Sequence, residues 1–398
     1  MRIIYYTKTC FFDVALSHVK ALSKLVELHL LLELSPTQWN KSLFNLAPRK
    51  LPYGIVPAES VLRDCFPPGV SAYWKDLASF NLVVHNYRGI HPVTWWVSYK
   101  VMQFIRKLKP DLIHYDDVSL RLMWALPKMG KIPIVLNIHD SEPHSGEMDW
   151  RFNISRKLMF GRIKHFILHN KLSEYQFIKK YNLQEKDFSV VPLGVYDVYK
   201  EYIKKRIPEE EKTILFFGRI SPYKGLEIFI KSAKLVCDRI SHVRFIIAGR
   251  PISNYQIPNF CELPNDGCFE LHLDYISNEK LVAFFQCSSL VVCPYTDATQ
   301  SGVILTAYAF RKPVVTTLVG GLSEYVWDGE TGFLVSPKNP EALANAIIRL
   351  LKNRTERETM KKNIAKRNET DLLWNNIAQQ TIKVYKNILS IGKEDKNR

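Results

Sequence analysis

Along nearly the whole chain, short runs of apolar, β-branched residues alternate with stretches whose apolar positions recur every three or four residues. Residues 3–6, 28–32, 82–85, 112–114, 134–138, 166–168 and 190–191 read as strands. Between them, Val14, His18, Ala21, Leu22 and Leu25 share one helical face, with Asp13 placed to cap it. Val97, Val101, Phe104, Ile105 and Leu108 mark a second helix. Strand followed by helix, repeated, predicts a parallel sheet covered by helices on both faces.

The alternation halts at the charged segment 200–212 (KEYIKKRIPEEEK), a poor core sequence and a plausible linker. It resumes with strands at 214–217, 243–248, 271–273, 290–293, 313–316 and 333–335. The fold class is therefore α/β, with two Rossmann-like, doubly wound domains spanning residues 1–198 and 199–371. A helical tail, residues 372–398, lies beyond the last strand, free to pack on either domain, the first among them, or to bridge the two. The length agrees, because 398 residues exceed the roughly 250 to 300 at which a single core stops growing.

Composition narrows the class. With 46% hydrophobic residues the chain is not disordered, and no apolar run reaches the ~18 residues of a spanning helix. The start, MRIIYYTKTCFFDV, lacks the pattern of a secretory signal, so the expected setting is cytoplasmic, at most peripheral on the inner face of a membrane. Seven scattered cysteines without a CxxC pair read as reduced, mostly buried thiols. The net charge of +16 asks for an anionic partner: nucleic acid, an acidic membrane surface or a phosphorylated small molecule.

Ligands of open parallel sheets bind beyond the carboxyl ends of the strands, which directs attention to the loops there. Residues 217–226 (FGRISPYKGL) leave a strand and open a helix, with Ser221 placed to cap it and Pro222 suited to its first turn. Gly218, Arg219 and Lys224 then stand at a positive helix end, an arrangement that suits a diphosphate; an ordinary solvated loop is the alternative. Residues 295–303 (YTDATQSGV) make a similar junction, where Thr299 or Ser301 caps the helix and Gly302 admits a ligand to the backbone; a capped turn without ligand is again the alternative. In the first half, residues 136–147 gather His139, Asp140, Glu142, His144 and Glu147. They form a metal cluster, an acid/base set or a capped loop. The metal reading is the weakest, since no HExxH and no cysteine support it, whereas a histidine at a strand end suits substrate positioning or proton handling. Asp116 and Asp117 read as adjacent loop acids.

Residues 214–226 (ILFFGRISPYKGL) resemble a signature of the retaining, nucleotide-sugar-dependent glycosyltransferases grouped as family 4. Residues 312–337 (KPVVTTLVGGLSEYVWDGETGFLVSP) are similar to the same family's PVV, GG-x-x-E and DG-x-TG-x-LV run. Order and spacing agree over about 120 residues. More loosely, 110–114 (PDLIH), 132–140 (IPIVLNIHD) and 191–195 (VPLGV) look like first-domain segments of that family. The resemblance implies a GT-B fold with an interdomain cleft, and transfer of a sugar from a UDP- or GDP-type donor to a hydroxyl on a glycan or lipid-linked acceptor. It gives Arg219 and Lys224 to the donor diphosphate and leaving-group charge, and places His139 beside the donor sugar. Gly218, Asp297, Thr299, Gln300, Ser301, Gly302, Val303, Thr306 and Glu324 then bind the donor, and Asp140, Glu142 and His144 face the acceptor. No metal or other cofactor is required.

Two departures stand out. The family's pair of glutamates eight residues apart falls here on Ala298 and Thr306, and its glycine pair after the first strand is replaced by Phe11-Phe12-Asp13. A catalytically degenerate binding subunit, or a sugar-nucleotide epimerase of the same architecture, therefore stays open. Between Arg151 and Lys186 nine basic residues face two acids, interleaved with Phe152, Leu158, Met159, Phe160 and Phe166. This stretch suits an anionic membrane surface or a phosphorylated lipid carrier, or is a solvated helix face. No stacking platform or recognition helix bears the charge, so nucleic acid is not an expected partner.

Overall fold

The computed structural model describes residues 1–397 apart from 36–39, 46–50, 88, 90, 120, 123–131, 141–153, 155, 157, 164, 185–186, 254 and 259–266. Glu142, His144, Glu147, Arg151, Phe152 and Lys186 lie outside the described residues. Contacts group the chain into two units, dividing at Gly194 and Val195 and again at Leu373 and Trp374; the sequence reading puts its boundaries after 198 and 371.

The first unit is built on an eight-stranded sheet. Its strands are β1 (Arg2–Lys8), β2 (Glu27–Leu34), β3 (Gly54–Pro57), β4 (Ser79–Val84), β5 (Leu112–Asp116), β6 (Ile134–Ile138), β7 (His165–Leu168) and β8 (Phe188–Val190). They lie in the order β8-β7-β6-β5-β1-β2-β4-β3. Central β1 pairs in parallel with β2 and β5, Ile3 standing beside both Leu28 and Leu112. β5 and β6 are buried along their whole length although they carry polar residues, His114 and Asp116 in β5 and Asn137 in β6. The periodicity does not reveal β3, the antiparallel edge strand. It is four residues long, ends in a proline and is only partly buried, as befits an edge.

Three helices of this unit bear on function. The first, α1 (Phe12–Leu22), has Phe11 at its N-cap position, so Asp13 is not its cap. The Asp13 carboxylate sits inside the first turn and accepts from the Val14 N–H, while Leu25 lies beyond the helix and is exposed. The second, α2 (Pro92–Leu108), is capped by the His91 ring, which accepts from the Val93 N–H. A shorter helix, α3 (Lys171–Tyr181), follows β7.

In the second unit β9 (Thr213–Phe217), β10 (Arg244–Ala248), β11 (Phe269–His272), β12 (Leu290–Cys293), β13 (Val314–Thr317) and β14 (Gly332–Val335) form a parallel sheet. The order β11-β10-β9-β12-β13-β14 is that of a dinucleotide-binding domain, with its switch point between β9 and β12. The helices are α4 (Leu226–Cys237), α5 (Asn278–Cys287), α6 (Gly302–Ala309), α7 (Leu322–Tyr325), α8 (Pro340–Lys352) and α9 (Arg354–Glu369). The last helix, α10 (Trp374–Asn397), groups with the first unit. There it packs on α1, with Thr381 bonded to His18 (3.0 Å) and the Tyr385 hydroxyl bonded to His114.

The charged segment between the units is not loose. Tyr199 and Tyr202 are buried, and Glu209 pairs with Lys312 (2.6 Å) and Lys361 (2.7 Å). Of the six described cysteines, all free thiols, only Cys268, Cys287 and Cys293 are buried; Cys65 and Cys237 are half-buried and Cys10 is exposed.

Candidate functional site

At the carboxyl ends of β9, β12 and β13 three loops are locked together through their backbones. Gly225, at φ +70°, stands so close to the chain beyond β12 that an added Cβ would lie 2.0 Å from the Pro294 carbonyl oxygen. Gly320, at φ +50°, meets the Ala298 carbonyl in the same way, at 1.4 Å. Only glycine tolerates both the left-handed backbone and the contact. The Thr296 N–H completes the join by donating to the Tyr223 carbonyl (2.8 Å). Gly218, at φ +121°, follows β9 and is hydrogen-bonded to Ala248, with Val303 packed 3.4 Å from where its Cβ would stand.

Lys224 is the charge at this junction. Its ammonium lies 3.9 Å from the centre of the Tyr295 ring and 5.0 Å from that of Tyr223. Cation–π attraction favours a cation in such a seat. Neither tyrosine was singled out for this role by sequence; the only signal was an aromatic at the end of each loop. Arg219 is exposed in the same β9 loop. Ser221 does not cap: α4 begins at Leu226, after a 3-10 turn over Pro222–Lys224, and the Ser221 hydroxyl is fully buried without a partner. The left-handed Gly225 separates the two turns, so a side-chain cap at Ser221 cannot reach the helix proper.

The β12 loop departs from expectation at several positions. Asp297, Thr299 and Gln300 are half-buried. The Ser301 hydroxyl bonds Tyr295 (3.1 Å) rather than capping α6. Space above Gly302 is taken by the Tyr196 ring, 2.9 Å from where a Cβ would lie, so its small size serves packing and not ligand approach. Thr306 is buried and donates to the Gly302 carbonyl (2.8 Å), which commits its proton inside the helix. Ala298 is buried against the Gly320 turn. Glu324 is half-buried on α7, and its N–H donates to Gly321.

In the first unit the carboxyl ends of β1, β5, β6 and β7 gather a polar cluster around Asp116. One carboxylate oxygen accepts from Tyr5 (3.1 Å), Asn137 (2.6 Å) and His139 Nε2 (3.4 Å); the other is buried without a partner. Burial works to raise this carboxyl, but the hydrogen bond and charge of His139, with His114 and Asn137, hold it well below the usual carboxylate range. Phe11 stacks on His139 at 4.0 Å, and His169 lies 5.0 Å from it on the β7 side. Asp116 is thus a strand-end residue that orients His139, not a loop acid. A carboxylate at the end of a strand was the available signal. Phe12, by contrast, is buried among Phe44, Phe66, Trp74 and Phe80. Phe11-Phe12 therefore puts one ring on the histidine and one in the core.

Beside this cluster Arg156, fully buried, bonds the Asp140 carbonyl and approaches Asp117 (4.0 Å). Met159 and Phe166 are core residues too. Part of the stretch read as a basic surface therefore points inward, because its arginine has carboxylate and carbonyl partners there and its apolar side chains complete the core. A second buried acid, Glu33, accepts from Tyr6 (2.8 Å), Ser119 (2.6 Å) and Arg121 (3.0 Å). Burial favours its neutral form, but the Arg121 guanidinium beside it brings the carboxyl down to about 2. Among the described residues no three His, Cys, Asp or Glu side chains come together in a way that holds a metal ion.

Comparison with known proteins follows the same division. Residues 62–197 match the family model Glycosyltransferase Family 4, and residues 199–367 match Glycosyl transferases group 1. An uncharacterized glycosyltransferase of Methanocaldococcus jannaschii is 25% identical over 361 residues, covering 83% of this chain and 92% of the relative. D-inositol 3-phosphate glycosyltransferase of Corynebacterium glutamicum is 28% identical over 278 residues, 63% of this chain and 66% of that protein. Among solved structures, Anabaena HepE in complex with UDP and glucose superposes with a TM-score of 0.66 at 18% identity, over 97% of this chain and 100% of that one.

Proposed function

Because the chain belongs to the family 4, group 1 glycosyltransferases of GT-B fold, we propose that it moves a sugar from a UDP- or GDP-type nucleotide sugar to a hydroxyl acceptor. The stereochemistry at the anomeric carbon is retained. The observation that carries this reading is the seat of Lys224, a cation held over two tyrosine rings at the switch point of the second sheet. That is where a bound diphosphate meets loop amides and a helix end.

In this reading Lys224 and Arg219 take the charge of the departing diphosphate, with the N-terminus of α4 adding its dipole. Fixed positive groups aimed at developing negative charge lower the barrier without a divalent ion. The half-buried Asp297, Thr299 and Gln300 meet the sugar and distal phosphate in place of the carboxylate that Ala298 does not supply, and Glu324 completes the donor site. Thr306 reaches the ribose only as an acceptor. In the first unit His139, turned by Asp116 and covered by Phe11, is the residue assigned to sugar handling, with Asp140 assigned to the acceptor. The HepE complex with UDP and glucose supports this donor class, and the relative named D-inositol 3-phosphate glycosyltransferase supports glycosyl transfer. The acceptor is a glycan or lipid-linked hydroxyl used in cell-surface glycan synthesis, reached from the cytoplasmic side of the membrane.

Calorimetric titration with a panel of UDP- and GDP-sugars tests the proposal. Saturable heat with one nucleotide class, followed by slow donor hydrolysis without acceptor, is the expected result. An altered donor sugar without acceptor identifies an epimerase. No heat with any donor favours the second reading, a degenerate partner subunit, which Ala298 and Thr306 motivate.

A further inference from the structure

Among the described residues, exposed aromatic side chains are concentrated at one place. Trp95, Trp96 and Tyr99 of α2 are each between 43% and 46% exposed, and Tyr53 and Tyr87 beside them reach 48% and 44%. Tyr53 packs edge-on against Trp96 at 5.7 Å, and Tyr87 stacks on the capping His91 at 4.0 Å. The opposite face of the helix, Val97, Val101, Met102 and Ile105, is buried in the core of the first unit. The outward face is therefore fixed in direction and is aromatic at its start.

The rest of that face is basic. Lys100, Arg106, Lys107 and the following Lys109 are exposed, and the 17-residue helix contains no Asp or Glu. Lys100 already lies over the Trp96 ring at 5.2 Å. Tryptophan and tyrosine rings settle at the level of lipid headgroups, and adjacent Lys or Arg adds attraction to an anionic leaflet. We infer that α2 is the surface by which this protein lies on an anionic lipid bilayer. A neutral glycan would be served by the rings but gives no role to the row of cations. This deepens the transferase reading and rests on it for its purpose, which is to hold the enzyme where lipid-borne acceptors are. The surface lies on the β3 and β4 side of the sheet. The exposed part of the stretch between Arg151 and Lys186, including Leu172 and Tyr175 on α3, follows β7 near the other edge.

Flotation of the full chain with vesicles tests the inference, using phosphatidylcholine alone and phosphatidylcholine with phosphatidylglycerol. Binding to the anionic vesicles only, weakened by salt and accompanied by a blue shift of tryptophan emission, is expected. Each basic residue near such a surface multiplies binding about fivefold, so the double variant Lys100→Glu, Lys107→Glu should lose about twentyfold or more. Trp95→Ser with Trp96→Ser should lose binding while the thermal midpoint is kept, and Lys171→Glu with Lys179→Glu on α3 should retain it. The inference is overturned if wild-type protein ignores anionic vesicles, if only the α3 variant loses binding, or if a neutral oligosaccharide alone shifts the emission. Nucleotide-sugar heats are read on the same samples. Donor binding without vesicle binding removes this inference alone, whereas vesicle binding without donor binding removes the transferase reading.

Discussion

Gly225 and the carbonyl of Pro294 are so close that no side chain fits between them: a Cβ on Gly225 would lie 2.0 Å from that oxygen. The contact fastens the loop carrying Lys224 to the loop after β12, and so decides where the cation stands. Gly225→Ala must relieve this clash and also adopt φ +70°. The left-handed backbone alone costs about 1 to 2 kcal/mol. The variant is expected to lower the thermal midpoint and to abolish nucleotide-sugar heats. A variant as stable as the parent, with unchanged heats, would show that the junction is not rigid.

Lys224→Ala removes the charge and leaves both tyrosines. Loss of one fixed group that stabilises developing charge commonly costs about a hundredfold or more in turnover, and that is the decrease expected in a donor-hydrolysis or transfer assay. Tyr295→Phe keeps the ring beneath the ammonium and loses the hydroxyl that bonds Ser301. Its turnover should stay close to that of the parent. An unchanged turnover in Lys224→Ala, with a loss in Tyr295→Phe, would mean that the ring's hydroxyl, and not the cation, matters.

Restoring the family's first carboxylate should not restore a conventional site. Ala298 is buried, with its carbonyl pressed on the Gly320 turn. Ala298→Glu places an unpaired acid there, at a cost of about 3 kcal/mol or more. Denaturant titration should report that loss with no tighter donor binding; tighter binding at unchanged stability would place the side chain in the donor site.

Acid should destabilise the first unit earlier than carboxylate titration predicts. Burial, above all, lowers His18, His114 and His169 to about 3, 4 and 3 from an unfolded value of about 6.5. Between those limits the unfolded chain binds more protons than the folded one. Stability present at neutral pH therefore falls as pH drops from about 6.5 toward 4. Thermal midpoints measured across that window should decline, and His114→Gln should flatten the slope. A flat profile above pH 5 in the parent would contradict the buried, neutral state of these rings.

Some of this was legible from one dimension. The alternation of apolar runs and helical faces specified two parallel α/β sheets, because burial on both faces of a strand and on one face of a helix leaves a local, periodic trace. The loop with Arg219, Lys224 and Gly225 was also legible, since a cation beside a glycine at a strand-to-helix junction is a local feature. Edge strand β3 left no such trace, being short, partly exposed and closed by a proline.

What only the tertiary structure decided is which side chains meet. Tyr5 and Asp116 are 111 positions apart yet share a hydrogen bond. Tyr295 comes under Lys224, Tyr196 fills the space over Gly302, and Arg156 turns inward to Asp117 although it sits in a basic stretch. Such meetings follow from strand order and from backbones that pass within contact distance. They are non-local, so no period or spacing in the chain encodes them, whereas the sequence by itself was enough to say that the loops at the strand ends exist and carry charge.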